Sequence, residues 1–193
     1  QSVNATIKYI NSTQQTKHIQ LNGNHQSENE ALAIMSIQSL SDFNINNQHI
    51  HTGLSSVKWP GRIQKIYNNP NVYYDVAHNQ ASFESLCDYV NTLKGKKILI
   101  LALQKNKILN KVIMKIENSF DKIIITQTNI RKFLPAEELH TIFNNPKVSI
   151  IIDPQEAISY SRTRPKNDCI IIAGSHYLGP IISKEFKISF ENI

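Results

Sequence analysis

From residue 62 onward, short continuous apolar runs alternate with stretches whose apolar residues recur every three or four positions. The runs lie at 72–74, 98–103, 123–126, 148–152 and 169–173, and most lack the polar alternation of a strand with one wet face. Strands buried on both faces have this pattern. Between them, Phe83, Leu86, Val90 and Leu93 define one helical stripe, and Ile108, Leu109, Val112, Ile113 and Ile116 define another. Pro135 stands at an expected first helical position, and Asp153-Pro154-Gln155-Glu156 has the order of an N-cap, a proline and a glutamate reaching back. The alternation predicts an α/β domain that is Rossmann-like, with a mainly parallel, doubly wound sheet. FKISF, residues 186–190, reads as a final edge strand.

The first third of the chain differs. Residues 4–22 predict a hairpin, with β-branched and apolar positions on either side of the polar NSTQQT. After GNHQ comes ENEALAIMSIQSL, a helix apolar on most faces and therefore expected to be largely buried. Polar residues 41–49 follow, and TGLSSVKWPGR then reads as a domain junction.

Composition narrows the classes. The chain has 193 residues, 40% of them hydrophobic and 19% charged, room for one ordinary domain or one and part of another. Its longest apolar runs are far too short to span a bilayer, and no basic-then-apolar leader opens it, so a cytoplasmic protein with no membrane partner is expected. Cys87 and Cys169 are expected to be reduced thiols. The net charge of +6 comes from cations spread along the chain, which reads as a solvated surface and not as a nucleic-acid site.

The chemistry-bearing residues gather after the first apolar run of the second region. VYYDVAHNQASFESL places Asp75, His78 and Asn79 between a strand and a helix, where an open α/β sheet carries its ligand crevice. Helix capping by Asp75 and Asn79 is the plain alternative. Neither glycine-rich phosphate loop occurs, since GSHYLG continues with Pro180 and not lysine. His49 and His51 lack Cys or carboxylate partners for a metal, Ser175 lacks a G-x-S-x-G elbow, and Cys87 lies inside a predicted helix.

What remains is an ordered set: His25, Gln26 and Asn29; Trp59, Pro60, Gly61 and Arg62; Asp75, Ala77, His78 and Asn79; Lys105; Arg131; then Gly174, Ser175, Tyr177 and Leu178. In this order they resemble the folylpolyglutamate synthase and dihydrofolate synthase family of Mur ligases. That family's carboxyl-terminal pattern runs HQ-x-x-NA, W-x-GR, DGAHNP, a DKD-like turn, an arginine after the next strand, and GS-x-YL. Here Glu30 replaces the Ala, Val76 the Gly and Gln80 the Pro, while the DKD turn is reduced to Gln104, Lys105 and Asn106.

The resemblance implies an ATP-dependent ligase whose amino-terminal ATPase domain carries a P-loop, a Mg²⁺ site and a carbamylated lysine. Residues 1–54 would be the tail of that domain, residues 55–193 the complete Mur ligase carboxyl-terminal domain, and the given sequence a fragment. The full enzyme would activate a folate or dihydropteroate carboxylate as an acyl phosphate and join it to glutamate, acting as a monomer. Among the implied roles, Arg62 would reach the triphosphate, Asn29 the adenine side, and Asp75 the nucleotide through ribose hydroxyls. His78 and Ser175 would serve either the incoming glutamate or the phosphate. No metal ligand is expected in this part. For Lys105 and Arg131 a surface role stands level with a functional one. A non-catalytic nucleotide-binding or interaction remnant, and a Mur-type ligase for another amino acid, remain as alternatives.

Overall fold

The computed structural model describes residue 9 and residues 19–190, apart from 108, 131 and 144. Most of the hairpin expected at 4–22 lies outside the described residues, as does Arg131. The chain divides into two compact units, Gln1–Lys58 and Trp59–Ile193.

In the first unit, α1 spans His25–Gln38 and α2 spans Asn47–Ser56. The expectation of a largely buried α1 is corrected: its buried residues are Gln26 and Glu30, while Leu32 is half exposed. The described residues of this unit include no sheet on which an apolar stripe could pack. Glu30 is buried because its carboxylate accepts the Ile19 amide at 3.2 Å. The junction read across 52–62 is likewise interrupted, because α2 continues to Ser56. Asn46 starts that helix by a reciprocal capping box with His49, a signal hidden in the polar stretch.

The second unit is built on one six-stranded sheet, β1 (Gln64–Asn68), β2 (Asn71–Asp75), β3 (Lys97–Leu101), β4 (Lys122–Ile125), β5 (Val148–Ile150) and β6 (Cys169–Ala173). The spatial order is β1-β2-β6-β3-β4-β5, and every neighbour pair is parallel except β1 with β2. Helices α3 (Gln80–Asn91), α4 (Ile113–Ser119) and α5 (Ala136–His140) cover one face; α6 (Pro154–Arg162) and α7 (Gly179–Phe186) cover the other. Alternate residues of each strand feed the two layers. Leu99, Leu101, Ile123 and Ile171 meet Phe83, Leu86 and Ile116, while Ile98, Ile100, Ile124 and Ile172 meet Ile158 and Ile182. Burial on both faces is what the unbroken aliphatic runs require.

The structure shifts several element boundaries. β1 was not anticipated: QKIYN pairs antiparallel with β2 and takes the edge that FKISF was expected to occupy. α7 instead runs to Phe186, and Lys187, in the left-handed region at φ 53° and ψ 45°, turns the chain back so that Phe190 packs on Tyr74. Pro135 is the residue before α5 and not its first. Asp153 caps α6 through the Gln155 amide at 2.9 Å, with Pro154 first in the helix. The stripe from Leu109 begins in a turn, and α4 starts only at Ile113. Both cysteines are buried and unbridged, and burial pushes the Cys87 thiol up to about 11, which keeps it protonated and unreactive. Among the described residues no helix is long and apolar enough to cross a membrane.

Candidate functional site

Register decides which loops share an edge. Asp75 pairs with Ala173, Ala173 with Leu101, Leu101 with Ile125 and Ile125 with Ile150, so five strands end level. The loops bearing His78 and Ser175 therefore leave adjacent strands at the carboxyl edge, as expected of one crevice.

Asp75 organises the nearer wall. It is 6% exposed, and its carboxylate accepts the Ala77 amide at 2.6 Å and the Ile63 amide at 2.8 Å. The Val76 amide in turn donates to the Gly61 carbonyl at 2.9 Å. Thus the turn Gly61-Arg62-Ile63 is fastened on both sides of Arg62. The turn is tight: Gly61 has φ 70°, and a Cβ there would lie 2.6 Å from Val76 Cγ1. Ile63 also sits in the left-handed region, at φ 46°, a strained backbone for a β-branched residue, held there by complete side-chain burial and its bond to Asp75. Burial pushes the Asp75 carboxyl up to about 6, while the two amides, then Arg62 and His78, hold it down.

His78 is exposed. Its Nδ1 lies 2.9 Å from the Val76 carbonyl, which can only accept, so Nδ1 carries the proton and Nε2 is the acceptor nitrogen of the neutral ring. Asn79 has the plain role: its side chain caps α3 through the Ser82 amide at 2.9 Å, and Ser82 Oγ returns the bond to the Asn79 amide. Asp75 does not cap that helix.

Across the crevice Ser175 is 3% exposed and its Oγ accepts the Tyr177 amide at 3.2 Å, leaving its own O–H to donate. Gly174 makes the turn possible, with φ 104° and the Ala102 carbonyl oxygen 2.1 Å from where a Cβ would be. Tyr74, overlooked in the sequence, ties the two walls together: its hydroxyl lies 3.2 Å from the His176 carbonyl and 3.4 Å from that of Ser175. A second buried phenol beside Tyr73 in a three-residue apolar run was the available signal.

The structure thus brings Arg62, Asp75, His78 and Ser175 to one edge. Lys105 is exposed in the loop after β3, beside Lys132, whose carbonyl accepts its amide. Asn29 belongs to the first unit, where its amide donates to Gln26 Oε1 at 3.0 Å and Gln26 reaches His25 at 2.9 Å, so the HQ-x-x-N pattern is one polar chain along α1. Among the described residues no group of three or more His, Cys, Asp or Glu is placed to hold a metal ion.

A doubly wound sheet with a cation, a buried carboxylate, an imidazole and a hydroxyl at one strand edge defines an α/β domain with a polar carboxyl edge. Residues 61–176 match the family described as Mur ligase, glutamate ligase domain, and the chain belongs to that family. Among its relatives is the dihydrofolate synthase/folylpolyglutamate synthase of Bacillus subtilis, 26% identical over 86% of this chain and 40% of that protein. Another is the UDP-N-acetylmuramoyl-L-alanyl-D-glutamate–L-lysine ligase of Streptococcus pneumoniae, 30% identical over 81% of this chain and 34% of that protein. The Mycobacterium tuberculosis folylpolyglutamate synthase complexed with ADP and AMPPCP has the same fold, with a TM-score of 0.76 at 21% identity over 89% of this chain and 42% of that one. A Yersinia pestis bifunctional folylpolyglutamate synthase/dihydrofolate synthase with Mn, AMPPNP and L-glutamate bound gives 0.74 at 18% identity, over 87% and 41%. The motif resemblance to folylpolyglutamate and dihydrofolate synthases therefore stands, and the chain spans about two-fifths of the length of these relatives.

Proposed function

We propose that this chain is the carboxyl-terminal part of an ATP-dependent ligase that adds glutamate to a folate or dihydropteroate carboxylate through an acyl phosphate. Residues 55–193 are the glutamate-ligase domain, and residues 1–54 the tail of the ATPase domain. The observation that carries this reading is the fastening of Arg62, whose turn is bonded to the β2 exit through Gly61 and Ile63. A cation whose backbone is anchored on both sides at the crevice rim suits charge that develops on phosphate and on the tetrahedral oxyanion. His78 offers the Nε2 lone pair to the ammonium group of glutamate, and Ser175 its hydroxyl proton to the glutamate carboxylate or the phosphate placed between the walls. Asp75 fixes the turn first; its remaining lone pairs are acceptors for ribose hydroxyls. ATP would bring Mg²⁺, for which the described residues present no cluster, so no step is assigned to the ion here.

Arg62→Ala in the full-length protein should keep its melting temperature and lower turnover by two or more orders of magnitude, on the order of 3 kcal/mol. Lys should restore only part, because a point charge does not reproduce the guanidinium fork. Normal turnover would remove Arg62 from the reaction. The 193-residue chain alone, whose sequence lacks a P-loop, should catalyse no glutamate addition.

The similarity to the lysine-adding ligase supports a second reading, a Mur-type ligase for another amino acid. Assaying the full-length protein with dihydropteroate, a folate and a muropeptide precursor, each with glutamate and with lysine, separates the two. Turnover with none of them would favour a non-catalytic domain.

A further inference from the structure

Outside the crevice, a cavity of about 850 Å³ opens on the α7 side of β2, within the range of small-molecule sites. Tyr74, Val76, Pro60 and Phe190 are among the residues that line it. The Tyr74 and Phe190 rings are in contact, 5.7 Å between centroids and tilted by 40°, and form one aromatic wall. Ser183, Lys184 and Lys187, from α7 and its carboxyl-terminal turn, line it too, as does His176. No lining residue is acidic, and among the described residues neither Lys184 nor Lys187 belongs to an ion pair.

We propose that this cavity binds a small aromatic carboxylate, its ring against the wall formed by Tyr74 and Phe190 and its anionic group at the lysines. The Tyr74 side of the cavity argues against a charged group there. Its single hydroxyl, on Tyr74, directs its hydrogen at the His176 and Ser175 carbonyls and has none to offer a ligand. The Ser183 hydroxyl is likewise given to the Ile188 carbonyl. The cations on the lining are Lys184 and Lys187. Lys187 is itself informative: a glycine would hold its left-handed backbone without strain, yet the position keeps a side chain that lines the cavity. An occupant would touch Pro60 and Val76, on either side of the Gly61 bond that fastens the Arg62 turn. The site does not depend on the ligase reading, since it is tested by binding alone.

The test is a titration of the 193-residue chain with 1-naphthoate, followed by chemical-shift changes at Ser183, Lys187 and Phe190. The neutral 1-naphthylmethanol serves as comparator. Saturable one-to-one binding is expected, with both the neutral analogue and the double variant Lys184→Ala, Lys187→Gly weaker by about tenfold. Glycine suits the left-handed position, so the variant should melt no lower than the parent. Absence of saturation at about 10 mM, or equal affinity for the neutral compound, or equal affinity in a folded double variant, would overturn the proposal.

Discussion

At Asp75, burial and hydrogen bonding pull in opposite directions. Removal from water pushes its carboxyl up to about 6 from the ordinary 3.8, although two amides donate to it. Between those two values the folded chain holds a proton that the unfolded chain has released. Asp75 therefore contributes stability that is complete below about pH 4 and lost as the pH rises through 6. A carbon-detected NMR titration of the carboxyl should show a midpoint near 6; a midpoint under 4 would mean that the amides outweigh burial. Asp75→Asn should destabilise by about 1–3 kcal/mol in urea unfolding, because one amide donor must then face an NH₂. Sequence order was enough to single out Arg62, Asp75, His78 and Ser175, since each sits in a short motif. It was not enough for Tyr74 or Ile63. A phenol that spans two strands and a left-handed isoleucine exist only once register and tertiary bonds are set.

At the level of elements, the five parallel strands were legible because burial on both faces forbids polar residues. β1 was not, since QKIYN alternates weakly and follows a proline and a glycine, and FKISF has a strand's composition but follows a helix that ends in a left-handed turn. Glycines separate the two kinds of constraint. Gly174→Ala should cost more than about 2 kcal/mol, because φ is 104° and the intruding contact is a backbone carbonyl that cannot move aside. Gly179→Ala should stay within about 1 kcal/mol of the parent, its nearest contact being 3.6 Å away and its backbone helical. Parallel thermal melts of the two variants check both.

At the scale of the molecule, apolar burial among the described residues is concentrated in the second unit. Among the described residues of the first, only Ile19 and Leu54 are buried hydrophobics. Residues 59–193 expressed alone should unfold in one cooperative transition, whereas residues 1–58 alone should show none, because so little apolar area offsets chain entropy. Calorimetry of the two pieces tests this; a cooperative transition for 1–58 would mean that its stability comes from contacts other than apolar burial. The weak burial of α1 was not legible, since a helical stripe shows which face could be covered and not whether a cover is present.

The level ending of five strands has a consequence for how such a domain can diversify. Each loop starts from a plane fixed by the Asp75–Ala173–Leu101–Ile125–Ile150 row, so its length and contents can change without moving the strand that supplies it. A substitution at Lys105, exposed in the loop after β3, changes that loop and leaves the core untouched. A one-residue slip inside β6 would do the opposite, turning every aliphatic side chain to the wrong layer. The chemistry is thus interchangeable at its rim while the platform beneath admits almost no variation.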